Sequence, residues 1–360
     1  MKIGIVMGTR PEIMKNYSLV RELRRRGRPH AVIHTGQHGD DLMRGAVFRA
    51  LGYAPDFVMP GPYALGRAVD WLRGLIAEQG LDLILVNGDT AAALAGALAA
   101  VYSDVALAHV EAGLRSFDRQ MIEERNRIMV DSAAQYLFCY TSRQADYLAA
   151  NRELRGAIFN VGNTTVDLLA DLAGLLPAPE PRGYAYVTLH RKEFTDDPRR
   201  MRAVFGALAG LAERFPALIF PMHPRTRAEM ARHGLPPGLL GGARVLEPVG
   251  PLESLAYQRH AELILTDSGC IQEEAYLLGV PCVTIRENTE RPETLEAGAN
   301  VVCGFEPAAI AAAAARQLAA GRRSFPPVYG EIGVAGRILD ALDGASRPWG
   351  GGSDDARALG

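Results

Sequence analysis

The chain is poor in cysteine, with four in 360 residues: Cys139, Cys270, Cys282 and Cys303. No two stand in C-x-x-C spacing, so neither a thiolate zinc site nor a disulfide framework is indicated, and a reducing cytoplasm is the simplest home. An excess of one charge is also missing. Lys and Arg number 39 against 41 Asp and Glu, a formal net charge of -2. Without a basic stripe, nucleic acid is not an expected partner, and a small anion met locally fits better. No apolar run reaches the roughly 18 residues of a membrane span. The opening MKIGIVMGTRPE enters a strand-like run directly, without the apolar segment and cleavage site of a secretory signal. The GxSxG elbow, the HExxH helix and the Walker A loop are absent as well, which removes the common hydrolase, metalloprotease and NTPase readings.

What is present is an alternation. Apolar runs at 2–7, 31–35, 82–87 and 105–110 are separated by segments of helical period near 12–26, 64–79 and 91–101. That is βαβ spacing, and continuous apolar runs suit parallel strands covered on both faces. The first helical segment closes on RELRRRG, with arginines in its last turn and Gly27 suited to a left-handed cap. Prolines and glycine break the pattern at 177–183. It restarts with runs at 184–189, 217–222, 243–247, 262–267, 281–285 and 300–304. The expectation is an α/β chain of two Rossmann-like, doubly wound parallel-sheet domains, at 1–176 and 184–343. A linker covers 177–183, a last helix returns to the first domain, and a small, polar tail follows at 344–360.

Ligands of open α/β sheets bind beyond the carboxyl ends of the strands. Those positions hold GTRPE with Lys15, Gly36-Gln37-His38, NGDT, EAGLR, HRKE, HPR, DSG and the segment Arg286 to Arg291. GTRPEIMK reads as an anion site at a strand-to-helix junction or as a solvated turn. In TDSGCIQEEA a phosphate could rest on the helix start, or Glu273 and Glu274 could simply complement the dipole. Asp89 reads as a helix N-cap or as a working carboxylate. Glu111, at the end of an apolar strand, must be paired, hydrogen-bonded or used; Arg115, Arg119, Arg125 and Arg127 are its candidate structural partners. His190, beside Arg191 and Lys192, is a core-edge histidine or a member of a site, and His223 is a weaker candidate.

Taken together, GTRPEIMK, TGQH, NGDT, HVEAGLRSFD with EERNR, VGNTTVD, TLHRKE, TDSGCIQEEA and ENTERPE resemble the non-hydrolysing UDP-N-acetylglucosamine 2-epimerase family, in order along nearly the whole chain. The resemblance implies the GT-B arrangement with two domains facing a cleft for a UDP-sugar, usually a homodimer, and no metal or redox cofactor. It places catalytic roles on Asp89, Glu111, Glu123 and His190. It places substrate binding on Arg10, Lys15, Arg127, Ser268, Gly269, Glu274 and Arg291. The chemistry it implies is inversion at C2 by elimination of UDP to 2-acetamidoglucal and re-addition, which requires at least two acid–base groups near one carbon.

Departures from the family pattern are RQMIEE where a Trp-Pro usually precedes the paired glutamates, Cys270 in place of a glycine, and Phe194 in place of an Asn. Each is expected to alter the sugar pocket. GDDLMRGAVF and MPGPYALGR lack the polar residues with which bacterial members bind an activating second nucleotide sugar. The short FDRQMIEERNR form resembles relatives acting on UDP-2,3-diacetamido-glucuronic acid. Competing readings are that modified-sugar 2-epimerase, a hydrolysing 2-epimerase, a GT-B glycosyltransferase and a non-catalytic nucleotide-sugar sensor.

Overall fold

The apolar runs form strands because each is covered on both faces, so no position along them needs a polar side chain. The computed structural model describes residues 1–37, 41–176, 179–180 and 182–344. His38, residues 39–40 of GDDLMRGAVF, residues 177, 178 and 181 of the expected linker and the tail from 345 to 360 lie outside the described residues. The chain forms two units, one of Met1–Asp171 with the chain from Val328 onward, the other of Leu172–Pro327.

In the first unit the strands are β1 (Ile3–Met7), β2 (His30–His34), β3 (Phe57–Val58), β4 (Leu83–Asn87), β5 (Ala106–Val110), β6 (Tyr136–Cys139) and β7 (Ala157–Asn160). They lie in the order β3-β2-β1-β4-β5-β6-β7 and pair in parallel throughout, with Ile5 opposite both Val32 and Leu85. The second unit holds β8 (Ala185–Thr188), β9 (Leu218–Pro221), β10 (Arg244–Leu246), β11 (Leu263–Thr266), β12 (Cys282–Thr284) and β13 (Asn300–Val302), ordered β10-β9-β8-β11-β12-β13 and also parallel. In each sheet the winding reverses between two central strands, β1 and β4 in the first, β8 and β11 in the second. Such reversals open a crevice at the carboxyl ends. Gly8 and Asp89 follow the first pair, His190 and Asp267 the second.

Packing explains two features of the sequence. The helix Ala91–Val101 has seven alanines and a glycine in eleven residues because it lies directly on the sheet. A Cβ on Gly96 would stand 2.7 Å from Val86 Cγ1 and 3.3 Å from the Cβ of Val6. The expected helix at 12–26 is two helices, Arg10–Lys15 and Tyr17–Arg25, broken at the buried Asn16. Its amide oxygen accepts from Asn87 Nδ2 at 3.4 Å, so a polar residue at the core end of β4 interrupts what helical period alone continues.

The VGNTTVD stretch has a structural task. Asp167, almost fully buried, accepts from the backbone N–H groups of Gly333, Val334 and Ala335 at 2.7, 3.1 and 2.8 Å. It therefore caps the helix Val334–Gly344, which packs on Tyr17–Arg25 and forms the Arg26–Asp340 ion pair at 2.5 Å. Replacing Asp167 by Ala leaves those donors without an acceptor and should cost about 2 kcal/mol. Urea unfolding measures the loss, and hydrogen exchange should show protection falling first in 334–344; unchanged protection there would contradict the capping role.

Candidate active site

The turn after β1 can only begin with glycine. A Cβ on Gly8 would lie 2.5 Å from Thr35 Oγ1 and 2.6 Å from the Cβ of Ala92. Thr9 and Glu12 then form a capping box, and the Glu12 carboxylate accepts from Gly8 N, Thr9 N, Thr9 Oγ1 and Thr90 Oγ1 at 2.6–2.9 Å. Of the two readings of this turn, a cradle built on the backbone donors of Gly8 and Thr9 is not available, because both already serve Glu12. Arg10, half-buried, and Lys15, buried, carry the positive charge of this segment.

Glu111 is the strained residue of the site. It has φ +76°, a left-handed backbone in which side chains other than glycine are rare, and its N–H and that of Ala112 both donate to Phe138 O at 3.0 Å. Its carboxylate is 4% exposed, with Lys15 Nζ 2.5 Å away and the Tyr140 hydroxyl donating at 3.2 Å. Of the candidate structural partners, Arg115, Arg125 and Arg127 form contacts with other groups. Arg115 pairs with Asp131 at 2.6 Å, and Arg125 donates to Arg119 O at 2.7 Å.

Asp89 is not the cap of the following helix; Thr90 is, its hydroxyl accepting from Ala93 N at 3.0 Å. The Asp89 carboxylate instead forms an ion pair with Arg127. Asn126 Nδ2 holds the Asp89 carbonyl at 2.8 Å. Arg127 also lies 3.4 Å from Glu124, three residues earlier on the same helix face. Glu124 in turn accepts from Ser116 N and Phe117 N at 2.8 and 3.2 Å, which holds Phe117 in a left-handed turn at φ +61°. Thus Lys15 and Glu111 are joined directly, as are Asp89 and Arg127. Gly88 links the two pairs, since a Cβ there would sit 3.4 Å from Glu111 Oε2. Glu123, half-buried in the first turn of Ile122–Ala133, forms no hydrogen bond or ion pair among the described residues.

Beneath this cluster lies a network that sequence reasoning did not find. His109 Nδ1 meets Asp131 Oδ1 at 2.6 Å and Nε2 meets Gly88 O at 2.9 Å, so both ring nitrogens face acceptors. Asp131 also accepts from Gly113 N and Arg115 at 3.1 and 2.6 Å. Burial alone would lift the Asp131 carboxyl, but His109 and Arg115 overcome it and hold it below the usual range. His109 stands two residues before Glu111 in an otherwise apolar strand, and that isolation was the available signal. Tyr140 carried none, because β6 was not among the expected strands.

In the second unit, Asp267 Oδ2 accepts from the backbone N–H groups of His190 and Arg191 at 2.7 and 2.8 Å, and Oδ1 is 3.4 Å from His190 Nδ1. This fixes the loop after β8, leaving the His190 side chain 38% exposed beside the His223 ring at 5.1 Å. Ser268 stands at the N-cap position of Gly269–Leu278 without a side-chain capping bond, and Ser268 N donates to Thr266 Oγ1 at 3.0 Å. A Cβ on Gly269 would meet Glu290 Oε1 at 2.5 Å, so glycine is required where the chain crosses Glu290. Glu290 pairs with Arg286 at 2.8 Å and with Arg191 at 3.4 Å; buried Arg291 pairs with Glu273. Glu274 is half-buried on the same helix as Glu273. Phe194 does not belong to a sugar pocket, as the sequence suggested. It is fully buried in the core of this unit, edge-on to Phe205 at 5.7 Å. Cys270 stays half-buried at the helix start.

Among the described residues no group of three or more His, Cys, Asp or Glu is arranged to hold a metal ion, and no helix is long and apolar enough to cross a membrane.

Two doubly wound parallel units with acids and cations at their switch points define an α/β enzyme of the GT-B class. The family model described as UDP-N-acetylglucosamine 2-epimerase matches residues 21–343, and the chain belongs to that family. A Methanococcus maripaludis protein named UDP-N-acetylglucosamine 2-epimerase is 37% identical over 367 residues, covering 96% of this chain and 100% of its own. A Pseudomonas aeruginosa protein named UDP-2,3-diacetamido-2,3-dideoxy-D-glucuronate 2-epimerase is 36% identical, covering 95% and 99%. The crystal structure of Methanocaldococcus jannaschii UDP-GlcNAc 2-epimerase in complex with UDP-GlcNAc and UDP superposes with a TM-score of 0.87 at 35% identity, covering 95% and 99%.

Burial pushes Glu12 up to about 7, despite its four donors. A folded-state value above the unfolded one gives stability that is present in full below about 4.5 and is lost as pH rises through about 7. Glu12→Gln removes this dependence. The stability of the wild type relative to that variant should fall by roughly 3 kcal/mol between pH 4.5 and 8. Urea unfolding at several pH values measures it, and a constant difference would show that Glu12 stays ionised in the fold.

Proposed function

We propose that the protein interconverts UDP-N-acetylglucosamine and UDP-N-acetylmannosamine by inverting the sugar carbon C2. The observation that carries this reading is Glu111: a buried carboxylate at positive φ, ion-paired to Lys15, with the Asp89–Arg127 pair beside it. Strain of that kind costs on the order of 1–3 kcal/mol and persists where a side chain must be aimed.

In the proposed reaction a carboxylate removes the proton from C2, the C1–O bond breaks, and the electron pair leaves with the diphosphate as UDP, giving 2-acetamidoglucal. UDP then adds back at C1 as a proton is delivered to the opposite face of C2. Glu111, Asp89 and Glu123 are assigned to these transfers, and each is worth about 10²–10⁴ in rate. Glu123, unpaired among the described residues, is ready to exchange a proton without first breaking a contact. Arg10, Lys15 and Arg127 in the first unit, and Ser268, Gly269, Glu274 and Arg291 in the second, are assigned to the diphosphate, the nucleotide and the sugar hydroxyls, and His190 to a catalytic role. Cations and fixed dipoles aimed at a departing diphosphate stabilise the charge that develops as it leaves. The protein is further proposed to act as a homodimer in the cytoplasm, with no cofactor. An inverting transferase needs one base, so several acids argue for proton transfer at carbon.

The near-equal identity to the diacetamido-glucuronate relative supports a second reading, inversion of C2 in a UDP-sugar modified at C3 and C6. Separate incubations with the two sugars, resolved by ion-pair chromatography, distinguish them. UDP-N-acetylmannosamine from the first incubation without accumulation of free UDP is expected; turnover of the modified sugar alone would transfer the assignment to it. Glu111→Gln should lower turnover by about 10²–10⁴ while leaving UDP affinity within a few-fold. Full activity in that variant would remove Glu111 from the mechanism.

A further inference from the structure

The second unit carries a cationic recess at the end of its sheet opposite His190 and Asp267. It is an open surface pocket of about 500 Å³, lined by Arg182, Gly183, Arg259, His260, Glu262 and Arg322. Gly183 precedes β8, and His260 and Glu262 precede β11, so the lining sits at the amino ends of the same two strands whose carboxyl ends carry His190 and Asp267. Four residues of strand separate the two ends by roughly 13 Å.

The charge in this recess is unbalanced and partly preorganised. Three guanidinium groups face one carboxylate, Glu262. Arg259 Nη1 donates to Ala173 O at 3.0 Å, and Arg322 donates to Ala261 O at 2.9 Å and to Leu278 O at 3.3 Å. These carbonyls hold both side chains in place without neutralising them, and neither arginine has a carboxylate partner among the described residues. Among the described residues Arg182 forms one exposed pair, with Glu180 at 3.5 Å, the kind that contributes little. Partial burial, and then the three arginines, depress the affinity of His260 for its proton. Both effects disfavour the charged imidazolium, and Glu262 does not offset them.

We propose that this recess is a second anion site, which takes a compact polyvalent oxyanion of the phosphate or pyrophosphate class between Arg259, Arg322 and Arg182. Guanidinium groups fixed by backbone carbonyls present their remaining N–H donors as a fork, a geometry suited to phosphoryl oxygens.

The test uses the full chain saturated with UDP, so that the nucleotide site is filled, and titrates inorganic pyrophosphate while following the His260 imidazole signal by NMR, assigned with His260→Gln. Pyrophosphate should shift that signal saturably and raise the pH at which the ring titrates. Arg259→Gln should weaken the apparent affinity about tenfold. Arg182→Gln, at an exposed position where folding is not at stake, should also weaken it, and UDP affinity should be unchanged in both variants. A His260 signal that does not respond, or responds equally in the wild type and Arg182→Gln, would overturn the site. Neither result depends on which sugar the enzyme inverts.

Discussion

The site is organised around one buried ion pair held against an unfavourable backbone. Glu111 lies at φ +76° with its carboxylate under Lys15 and Tyr140. Removing one partner of such a pair leaves a buried charge uncompensated, which costs about 3–5 kcal/mol, so the two residues are structurally interdependent. Their separation of 96 positions means that the turn after β1 and the turn after β5 must both be correct before either charge is acceptable. The His109–Asp131–Arg115 network fixes the second turn. The Thr9–Glu12–Thr90 hydrogen bonds fix the first.

The same arrangement explains why the loop from Glu111 to Glu124 is so charged. Four of its charges have a distinct attachment: Glu111 to Lys15, Arg115 to Asp131, Glu124 to the backbone of Ser116 and Phe117, and the neighbouring Arg127 to Asp89. Glu123 alone among these acids has no partner among the described residues. A segment that looks like a solvated charge run therefore holds several buried pairs beside the exposed Arg119 and Arg125, with Glu123 unpartnered among the described residues.

Much of the fold was legible, because parallel strands covered on both faces write themselves as apolar runs. The ten runs read from the sequence correspond to β1, β2, β4, β5 and β8 through β13. The strands β3, β6 and β7 were missed; β3 has only two residues, but β6 and β7 are no shorter than the strands of the second unit, so length does not explain their omission. The helix Ile122–Ala133 was not among the segments read from apolar period, because its inner face buries Glu124, Arg127 and Asp131. In the site, the general rule for switch points collected Lys15, Asp89, Glu111, His190 and Asp267 correctly as neighbours of strand ends. Partners were not legible. Asp89 could be read as a cap because nothing in NGDT reveals that Thr90 takes that role, and Phe194 could be read as a sugar contact because its burial depends on Phe205. Pairings across 77 or 96 positions, such as His190 with Asp267 or Lys15 with Glu111, exist only once both turns are folded.

Membership of the UDP-N-acetylglucosamine 2-epimerase family and the strained, paired glutamate lead to one central claim: the C2 proton is removed and returned by protein carboxylates that exchange with water. Proton NMR of the enzyme with UDP-N-acetylglucosamine in D₂O tests this most directly. UDP-N-acetylmannosamine carrying deuterium at C2 is expected, with substrate deuterated at the same position as equilibrium is approached. Epimerised product that keeps protium at C2 would mean that the hydrogen never leaves the site as an exchangeable proton, and would contradict the account.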